Sequence, residues 1–214
     1  MKVGVIGSGQ AGRVLASGFL KHGHAVMLAS RDPSKLEDWS PAAGPDASVG
    51  TFAEAAAWGE VVGLAVKGSG AEEAVRLCRI ENLAGKTVID TTNPIAEAPP
   101  DGGVLRFFTD LDDALMERLQ RLAPEARFVK SFSCVGNALM VDPELPGGPP
   151  TMFICGDDEG AKSQVQTFLG EFGWEYEDLG GAAAARAIEP LCILWCIPGF
   201  LRNDWARAYK VLRP

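Results

Sequence analysis

Long apolar runs are missing from this 214-residue sequence. A membrane-spanning helix needs about 20 consecutive apolar residues, whereas the longest candidate stretch, Leu191 to Leu201, is shorter and contains Pro198 and Gly199. We interpret this stretch as buried core or, alternatively, as a face that packs against a second subunit in a homodimer. The N-terminal residues lack the small-residue cleavage site of a signal peptide, so we expect no membrane contact and a cytoplasmic location.

Excess positive charge and clustered metal ligands are also missing. The formal net charge of -8 would repel phosphate backbones and anionic lipids, so nucleic acid is not an expected partner. The cysteines form no CxxC pair and are spread along the chain as Cys78, Cys134, Cys155, Cys192 and Cys196. With only two histidines elsewhere, we expect neither a bound metal nor structural disulfides.

Acid–base groups are sparse as well. His22 and His24 flank Gly23 in the turn after the first predicted helix, at the end of the sheet opposite the expected site. Tyr176 and Tyr209 are isolated, so the sequence offers no proton-transfer pair for the oxidation of a simple alcohol. We therefore assign no catalytic acid or base. Hydride transfer between two ring cofactors needs none, because stacking the rings at the right distance supplies most of the effect.

Short β-branched runs alternate with helical stretches along most of the chain. The expected strands are Val3–Ile6, Ala25–Ala29, Val61–Val66, Thr87–Asp90, Arg127–Phe132, Thr151–Cys155 and Trp174–Glu177; the expected helices are Gln10–Lys21, the Pro33–Trp39 region, Ala71–Arg79, Leu111–Leu122, Glu159–Phe172 and one from Ala182 toward Trp195, which Pro198 should kink or end. This pattern predicts an α/β Rossmann-type fold with a doubly wound, mostly parallel sheet and a small C-terminal α/β extension. We expect a single domain over 1–214, with a dinucleotide-binding core over 1–125 and strands and helices over 126–214 that complete the sheet.

The strongest motif is a glycine-rich loop directly after the first strand, with the residues Gly7, Ser8, Gly9, Gln10, Ala11 and Gly12. GxGxxG alone is a weak signal, but here it lies between an apolar strand and an amphipathic helix, where a dinucleotide-binding turn requires it. The first glycine permits a tight turn, the second lets the backbone approach a pyrophosphate, and the third lets the helix pack on the strand. Unpaired N–H groups at the helix start favour the anion.

The end of the second strand distinguishes NAD from NADP. An acidic residue there would bond the ribose hydroxyls of NAD, whereas this chain has Ser30, Arg31 and, one turn later, Lys35. The Arg31 fork suits a 2′-phosphate, so we predict NADP(H) binding. Two alternatives stay open: Arg31 and Lys35 as a solvated helix start, and Asp32 as a displaced NAD-type acid. We favour Asp32 as an N-cap before Pro33.

Two later strand ends should flank the nicotinamide half of the cleft. They carry Ala65, Val66 and Lys67, and Asn93 and Pro94. Lys67 could equally be a surface lysine, and Asn93-Pro94 could be only a turn.

These segments resemble a known family of dinucleotide-binding reductases, which includes NADPH:deazaflavin (coenzyme F420) oxidoreductases and the cytosolic domain of six-transmembrane ferric reductases. The resemblance covers nearly the whole chain and rests on the segments 5–12, 30–35, 90–94, 129–136, 151–158 and 185–191. It implies that Ser8–Ala11 hold the pyrophosphate and that Ser30, Arg31 and Lys35 hold the 2′-phosphate. It also implies that Phe132, Ser133, Cys134, Val135 and Gly136 approach a small-molecule redox acceptor. The chain departs from the deazaflavin enzymes after the fourth strand, where Lys67-Gly68 replaces Pro-Trp.

The function expected from this resemblance is hydride transfer between NADP(H) and a flavin or deazaflavin co-substrate. Two other hypotheses fit the same residues: an NADPH-dependent reductase of a small carbonyl or imine, and a non-catalytic module that senses NADP(H). Reduction of such a carbonyl without flavin reduction would favour the first, and tight NADPH binding without turnover would favour the second.

Overall fold

The structure is a computed structural model that describes residues 1–36 and 39–214. Its strands are β1 (Lys2–Ile6), β2 (Ala25–Ala29), β3 (Ala47–Gly50), β4 (Val61–Leu64), β5 (Thr87–Asp90), β6 (Arg127–Lys130), β7 (Thr151–Ile154) and β8 (Glu175–Asp178). Its α-helices are α1 (Gln10–Lys21), α2 (Trp39–Ala43), α3 (Phe52–Trp58), α4 (Ala71–Leu77), α5 (Leu115–Leu122), α6 (Glu159–Glu171), α7 (Ala185–Ile188) and α8 (Leu191–Arg202). Short 3-10 helices cover Pro33–Leu36, Gly68–Gly70, Ile80–Leu83, Asn137–Leu139 and Ala182–Ala184.

Six parallel strands form the main sheet in the order β3-β2-β1-β4-β5-β6. The order reverses between β1 and β4, as in Rossmann folds, so the predicted doubly wound sheet is confirmed. Loops that leave the carboxyl ends of β1 and β4 diverge at this point and open a cleft.

Alternating side chains of the strands face two separate cores. Val3, Val5 and Val26 pack with Leu15 of α1 and Phe168 of α6 on one face. On the other face, alanines of α3 and α4 and the apolar side of α5 cover Ile6, Leu64 and Val88. Burial on both faces explains why the strands are continuous apolar runs rather than alternating ones.

The C-terminal part corrects one expectation. β6 completes the main sheet, but β7 and β8 form a separate parallel pair with α6 between them. A single antiparallel bridge, in which the Lys130 amide donates to the Cys155 carbonyl at 2.9 Å, joins β6 to this pair. Two residues beyond this bridge the chain turns at Phe132, whose φ is 58°. The segment 126–214 therefore completes the sheet only through its first strand.

Pro198 does not end the last helix, since α8 continues to Arg202. Proline leaves the carbonyl four residues earlier without its helical donor, and here the Arg207 guanidinium donates to that carbonyl, of Leu194, at 3.2 Å. By length and composition alone the stretch Ala182–Arg202 could cross a membrane. This is weak evidence for a span, because the core helix of a soluble protein passes the same test. Trp195 is buried while Leu194 and Leu201 are exposed, so packing against a second subunit stays a prediction.

β3 and α3 were not predicted from the sequence. The signal for α3 was present, because Thr51 and Glu54 form a capping box in which the Thr51 hydroxyl accepts from the Glu54 amide at 3.3 Å. The predicted Pro33–Trp39 helix is a 3-10 helix over Pro33–Leu36, while Glu37 and Asp38 lie outside the described residues.

Candidate functional site

The glycine loop adopts the predicted strand–turn–helix geometry. Gly7 has a φ of 115°, and a Cβ there would lie 2.2 Å from the Ala65 carbonyl oxygen. A Cβ on Gly12 would lie 1.8 Å from the Gly7 carbonyl oxygen, so this glycine sets the close packing of α1 on the loop. A Cβ on Gly9 would meet no atom within 4 Å, which leaves open space beside the helix start. The loop thus fits a pyrophosphate that approaches the backbone.

Arg13 stabilises this loop and was not singled out in the sequence. Its Nε donates to the Ser8 carbonyl at 3.0 Å, one turn into α1. Gly9 is the N-cap and has no side-chain cap, so the first amides of α1 keep their donors for an anion.

The end of β2 brings a second polar group to the cleft. Arg31, Asp32 and Lys35 are exposed, while Ser30 is buried and its Oγ accepts from the Asp32 amide at 3.2 Å. The Ser34 hydroxyl donates to Asp32 Oδ1 at 2.6 Å, and Lys35 Nζ lies 3.4 Å from Asp32 Oδ2. The hydrogen bond from Ser34, together with Lys35, lowers the pKa of Asp32. Asp32 lies directly before the 3-10 helix and its charge partly offsets that of Lys35, while its role as an N-cap stays a prediction.

A cleft of about 660 Å³ connects these two groups. Its wall contains nine of the predicted cofactor residues and the unpredicted Phe52 and Glu97; the nine are Gly7, Ser8, Gly9, Ser30, Arg31, Lys35, Ala65, Val66 and Lys67. Its ionisable side chains are those of Arg31, Asp32, Lys35, Lys67, Glu73 and Glu97. Gln10, Ala11 and Gly12 form the first turn of α1 and do not line the cleft.

Three loops meet at the carboxyl edge of the sheet, where β4, β5 and β6 end. A Cβ on Gly68 would lie 1.9 Å from the Asn93 carbonyl oxygen, so the first two loops touch. The Asn93 side-chain amide donates to the Ser133 carbonyl at 2.7 Å, which ties the second loop to the third. Pro94 is buried beside them. The structure thus joins the predicted residues Asn93, Pro94 and Ser133 to the Lys67–Gly68 loop.

The predicted acceptor segment is less accessible than expected. Phe132, Ser133, Cys134 and Val135 are buried, and three of them belong to the core. Burial raises the pKa of the Cys134 thiol to about 12, so this thiol is unreactive at neutral pH. A Cβ on Gly136 would lie 2.5 Å from the Trp195 ring of α8. Of the five residues only Gly136 is partly exposed, and the role of these residues as contacts of an acceptor stays a prediction.

Directly beneath the three loops lies a charged group that the sequence reasoning missed. Lys130 Nζ lies 2.7 Å from Asp90 Oδ2 in an ion pair and 2.8 Å from Glu189 Oε1, and it donates to the Thr92 carbonyl at 2.8 Å. We call Lys130, Asp90 and Glu189 the Lys130 cluster; all three are at most 1% exposed. Burial alone would lower the pKa of Lys130, but the two carboxylates outweigh it and raise the pKa. The only sequence signal was a lysine and an aspartate ending two apolar strands.

The two histidines lie at the opposite end of the sheet, as predicted. His22 Nε2 is 3.2 Å from Asp142 Oδ1, and His24 Nε2 is 2.8 Å from Glu171 Oε2. They tie α1 to the C-terminal part rather than to the cleft.

Comparison with known proteins gives consistent matches. The family described as NADP oxidoreductase, coenzyme F420-dependent, matches residues 2–94. The metalloreductase STEAP3 of Rattus norvegicus is 32% identical over 206 residues, which is 94% of this chain and 39% of the rat protein. The chain therefore spans less than half the length of that relative.

Solved structures extend the likeness to the whole chain. A protein of Arthrobacter sp. FB24, provisionally described as an F420-dependent NADP reductase, has a TM-score of 0.92 and 32% identity, with 100% of both chains covered. The reductive aminase of Aspergillus terreus, in complex with NADPH and ethyl levulinate, has a TM-score of 0.66 and 19% identity over 94% of this chain and 62% of that one. At that identity the second likeness concerns the fold alone.

Proposed function

This chain belongs to the NADP oxidoreductase family described as coenzyme F420-dependent, and from that membership we propose that it transfers a hydride between NADP(H) and a flavin or deazaflavin ring. The observation that carries the proposal is the cleft that joins the glycine loop to Ser30, Arg31 and Lys35. A pyrophosphate and a 2′-phosphate are the two anionic groups of NADP(H), and the cleft offers one polar region for each.

Different residues along the cleft bind different parts of NADP(H). Amides of Ser8–Ala11 at the start of α1 hold the pyrophosphate, and Arg31 grips the 2′-phosphate with its planar fork. Val66 and Lys67 follow β4 and line the cleft, where they would flank the nicotinamide. When bound, NADPH supplies the hydride, and the acceptor ring takes it up together with a proton from solvent.

The nature of the acceptor is the finer part of the proposal. No histidine or tyrosine belongs to the wall of the cleft among the residues that the structure describes. A ring acceptor needs no such group, because positioning two rings at the right distance is the main requirement. A carbonyl or imine acceptor would instead need a proton donor positioned beside it, and the candidates in the wall are Lys67, Glu73 and Glu97.

The test is an anaerobic absorbance assay of NADPH oxidation by the purified protein. Deazaflavin, FMN, FAD, a ferric chelate and a cyclic imine are offered in turn, with NADH as the comparison donor. We expect saturable reduction of a flavin or deazaflavin, and faster reduction with NADPH than with NADH.

An Arg31→Asp variant serves as the matched control, because it should lose NADPH-driven reduction while retaining the slower NADH-driven reduction. Oxidation of NADPH by the imine alone would replace the proposal with an imine reductase. A flat trace with every acceptor, despite tight NADPH binding, would replace it with a sensor.

A further inference from the structure

We infer that Lys130 is a positioning residue for the nicotinamide side of the cleft, which it serves by fixing the loop Thr91–Pro94 from below. The inference rests on the proposed binding of NADP(H). It assigns to the Lys130 cluster a role beyond stabilising the fold.

The position of Lys130 in the sheet is the first step. The strand pairs Ala29–Ile6, Ile6–Leu64, Leu64–Asp90 and Asp90–Lys130 form one continuous row across five strands at the carboxyl edge of the sheet. This is the edge on which dinucleotides lie in Rossmann folds. Ala29, Ile6 and Leu64 are apolar, whereas Asp90 and Lys130, at the β5–β6 end of the row, carry buried charges.

The contacts of the cluster are the second step. Asp90 Oδ1 accepts from the Thr92 amide at 2.9 Å and from the Thr92 hydroxyl at 2.6 Å. Lys130 donates to the carbonyl of the same residue at 2.8 Å. Thr92 is therefore held through its amide, its hydroxyl and its carbonyl, and the next residue is Asn93.

The charges of the cluster are the third step. Glu189 bonds Lys130 and also accepts from the amides of Leu115 and Met116 at the start of α5, each at 3.0 Å. Two carboxylates thus face one ammonium and a helix start, which compensates the second negative charge. Because a buried ion pair keeps its geometry only while every member is paired, the cluster clamps β5, β6, α5 and the end of α7 together.

The path from the cluster to the cleft is short. Asn93 touches the Lys67–Gly68 loop through its carbonyl and the loop after β6 through its side chain. A shift of Thr92 would move Asn93 and, through these contacts, Lys67, which lines the cleft. The adenosine side, with Ser30 and Arg31, has no contact with this path among the hydrogen bonds of the described residues.

The experiment measures how much the nicotinamide contributes to binding. Dissociation constants of NADPH and of 2′-phospho-ADP-ribose, which lacks the nicotinamide, are determined by calorimetry for each variant, and their ratio is compared. Lys130→Met removes the ammonium, but it leaves two unpaired carboxylates and risks unfolding. Asp90→Asn is the second variant, because it is isosteric and leaves Lys130 and Glu189 as a neutral pair.

Lys162→Met is the control for loss of an ion-paired lysine away from the cleft. Lys162 of α6 is 3% exposed and pairs with Glu159 at 2.8 Å and with Asp178 at 3.0 Å, but it does not line the cleft. Its ratio shows whether the loss of an ion-paired lysine outside the path from the Lys130 cluster to the cleft changes nucleotide binding.

The ratio is the Kd of 2′-phospho-ADP-ribose divided by the Kd of NADPH, and it measures the contribution of the nicotinamide. We expect this ratio to fall roughly tenfold in Lys130→Met and Asp90→Asn, with the affinity for 2′-phospho-ADP-ribose kept within about twofold. Lys162→Met should keep the wild-type ratio. The same ratio in all four proteins, or an equal fall in Lys162→Met, would overturn the inference. Failure of the wild type to bind either ligand would instead overturn the proposed function, and this inference with it.

Discussion

The two ends of the cleft use charge in opposite ways. At the end of β2 the ionic groups are exposed: Lys35 and Asp32 lie 3.4 Å apart with 76% and 50% of their side chains accessible. At the ends of β5 and β6, Lys130 and Asp90 lie 2.7 Å apart and are 0% accessible. At the end of β2 the charged side chains face the cleft, whereas at the ends of β5 and β6 they are paired with each other.

The exposed end is suited to binding an anion, and the buried end is suited to holding the loops of the site in place. An exposed ion pair in water contributes little to stability, so Arg31 and Lys35 are available to an anion without loss of folding energy. A buried pair contributes a fixed geometry and is costly to break, so the Lys130 cluster suits the part of the site that must hold a ring in place. The following changes test whether the two ends differ in this way.

The largest effect is expected from Lys130→Met. It should lower the free energy of unfolding by about 3–5 kcal/mol, because removal of one partner leaves buried carboxylates unpaired. Lys35→Met, at the exposed end, should leave that free energy unchanged within error. Urea unfolding monitored by circular dichroism measures both. Equal losses in the two variants would remove the contrast.

The pH dependence sharpens the same comparison. The pKa of Lys130 is raised above its ordinary value of 10.5 in the folded protein. Its stabilisation is therefore fully present below about pH 10.5 and is lost as the pH rises through the folded value. The stability difference between wild type and Lys130→Met should stay constant from pH 7 to 9 and shrink at higher pH.

Arg31→Asp should have the next largest effect, on binding rather than on folding. The charge-assisted fork to the 2′-phosphate becomes a repulsion, so we expect the NADPH affinity to fall by about 100-fold and the NADH affinity by less than about threefold. Fluorescence titration with both nucleotides measures this. The control is Lys21→Asp, which makes the same change of charge at the C-terminal end of α1, away from the cleft. Equal losses for NADPH and NADH would mean that Arg31 does not contact the phosphate.

The glycine loop offers a smaller test between the two ends. Gly12→Ala should lower the free energy of unfolding by about 1–3 kcal/mol, because its Cβ has no room beside the Gly7 carbonyl. Gly9→Ala should leave folding unchanged, since its Cβ meets no protein atom, yet weaken NADPH roughly tenfold by entering the pyrophosphate space. A Gly9→Ala protein with wild-type affinity would place the pyrophosphate elsewhere.

The exposed end was predictable from sequence, and the buried end was not. Gly7, Gly9 and Gly12 follow a strand at fixed spacing, and Arg31 follows the next strand, so local patterns locate them. The doubly wound, mostly parallel sheet also followed from the alternation of strands and helices, although β3, a short Ala-Ser-Val-Gly strand with one buried residue, was too weak a signal.

Lys130, Asp90 and Glu189 come from distant parts of the chain, and their meeting depends on the register of β5 and β6 and on the packing of α7. Each residue alone resembles a surface charge at the end of an element. Pro198 is a second example of a contact that the sequence does not predict. The residue that donates to the Leu194 carbonyl, Arg207, lies beyond the helix in the C-terminal tail. Contacts between distant segments therefore decided what sequence patterns left open.

The smallest effect is expected at Asp32, where the exposed end contains a charge of the wrong sign. Because its hydrogen bond to Ser34 and the nearby Lys35 lower the pKa of Asp32, the carboxylate is ionised at neutral pH and competes with a 2′-phosphate for Lys35. Asp32→Asn should strengthen NADPH binding about two- to fivefold and leave NADH unchanged, a gain typical of one exposed charge. Stronger binding of NADH but not of NADPH would contradict the prediction. Weaker NADH binding would show that Asp32 contacts the ribose as an NAD-type acid.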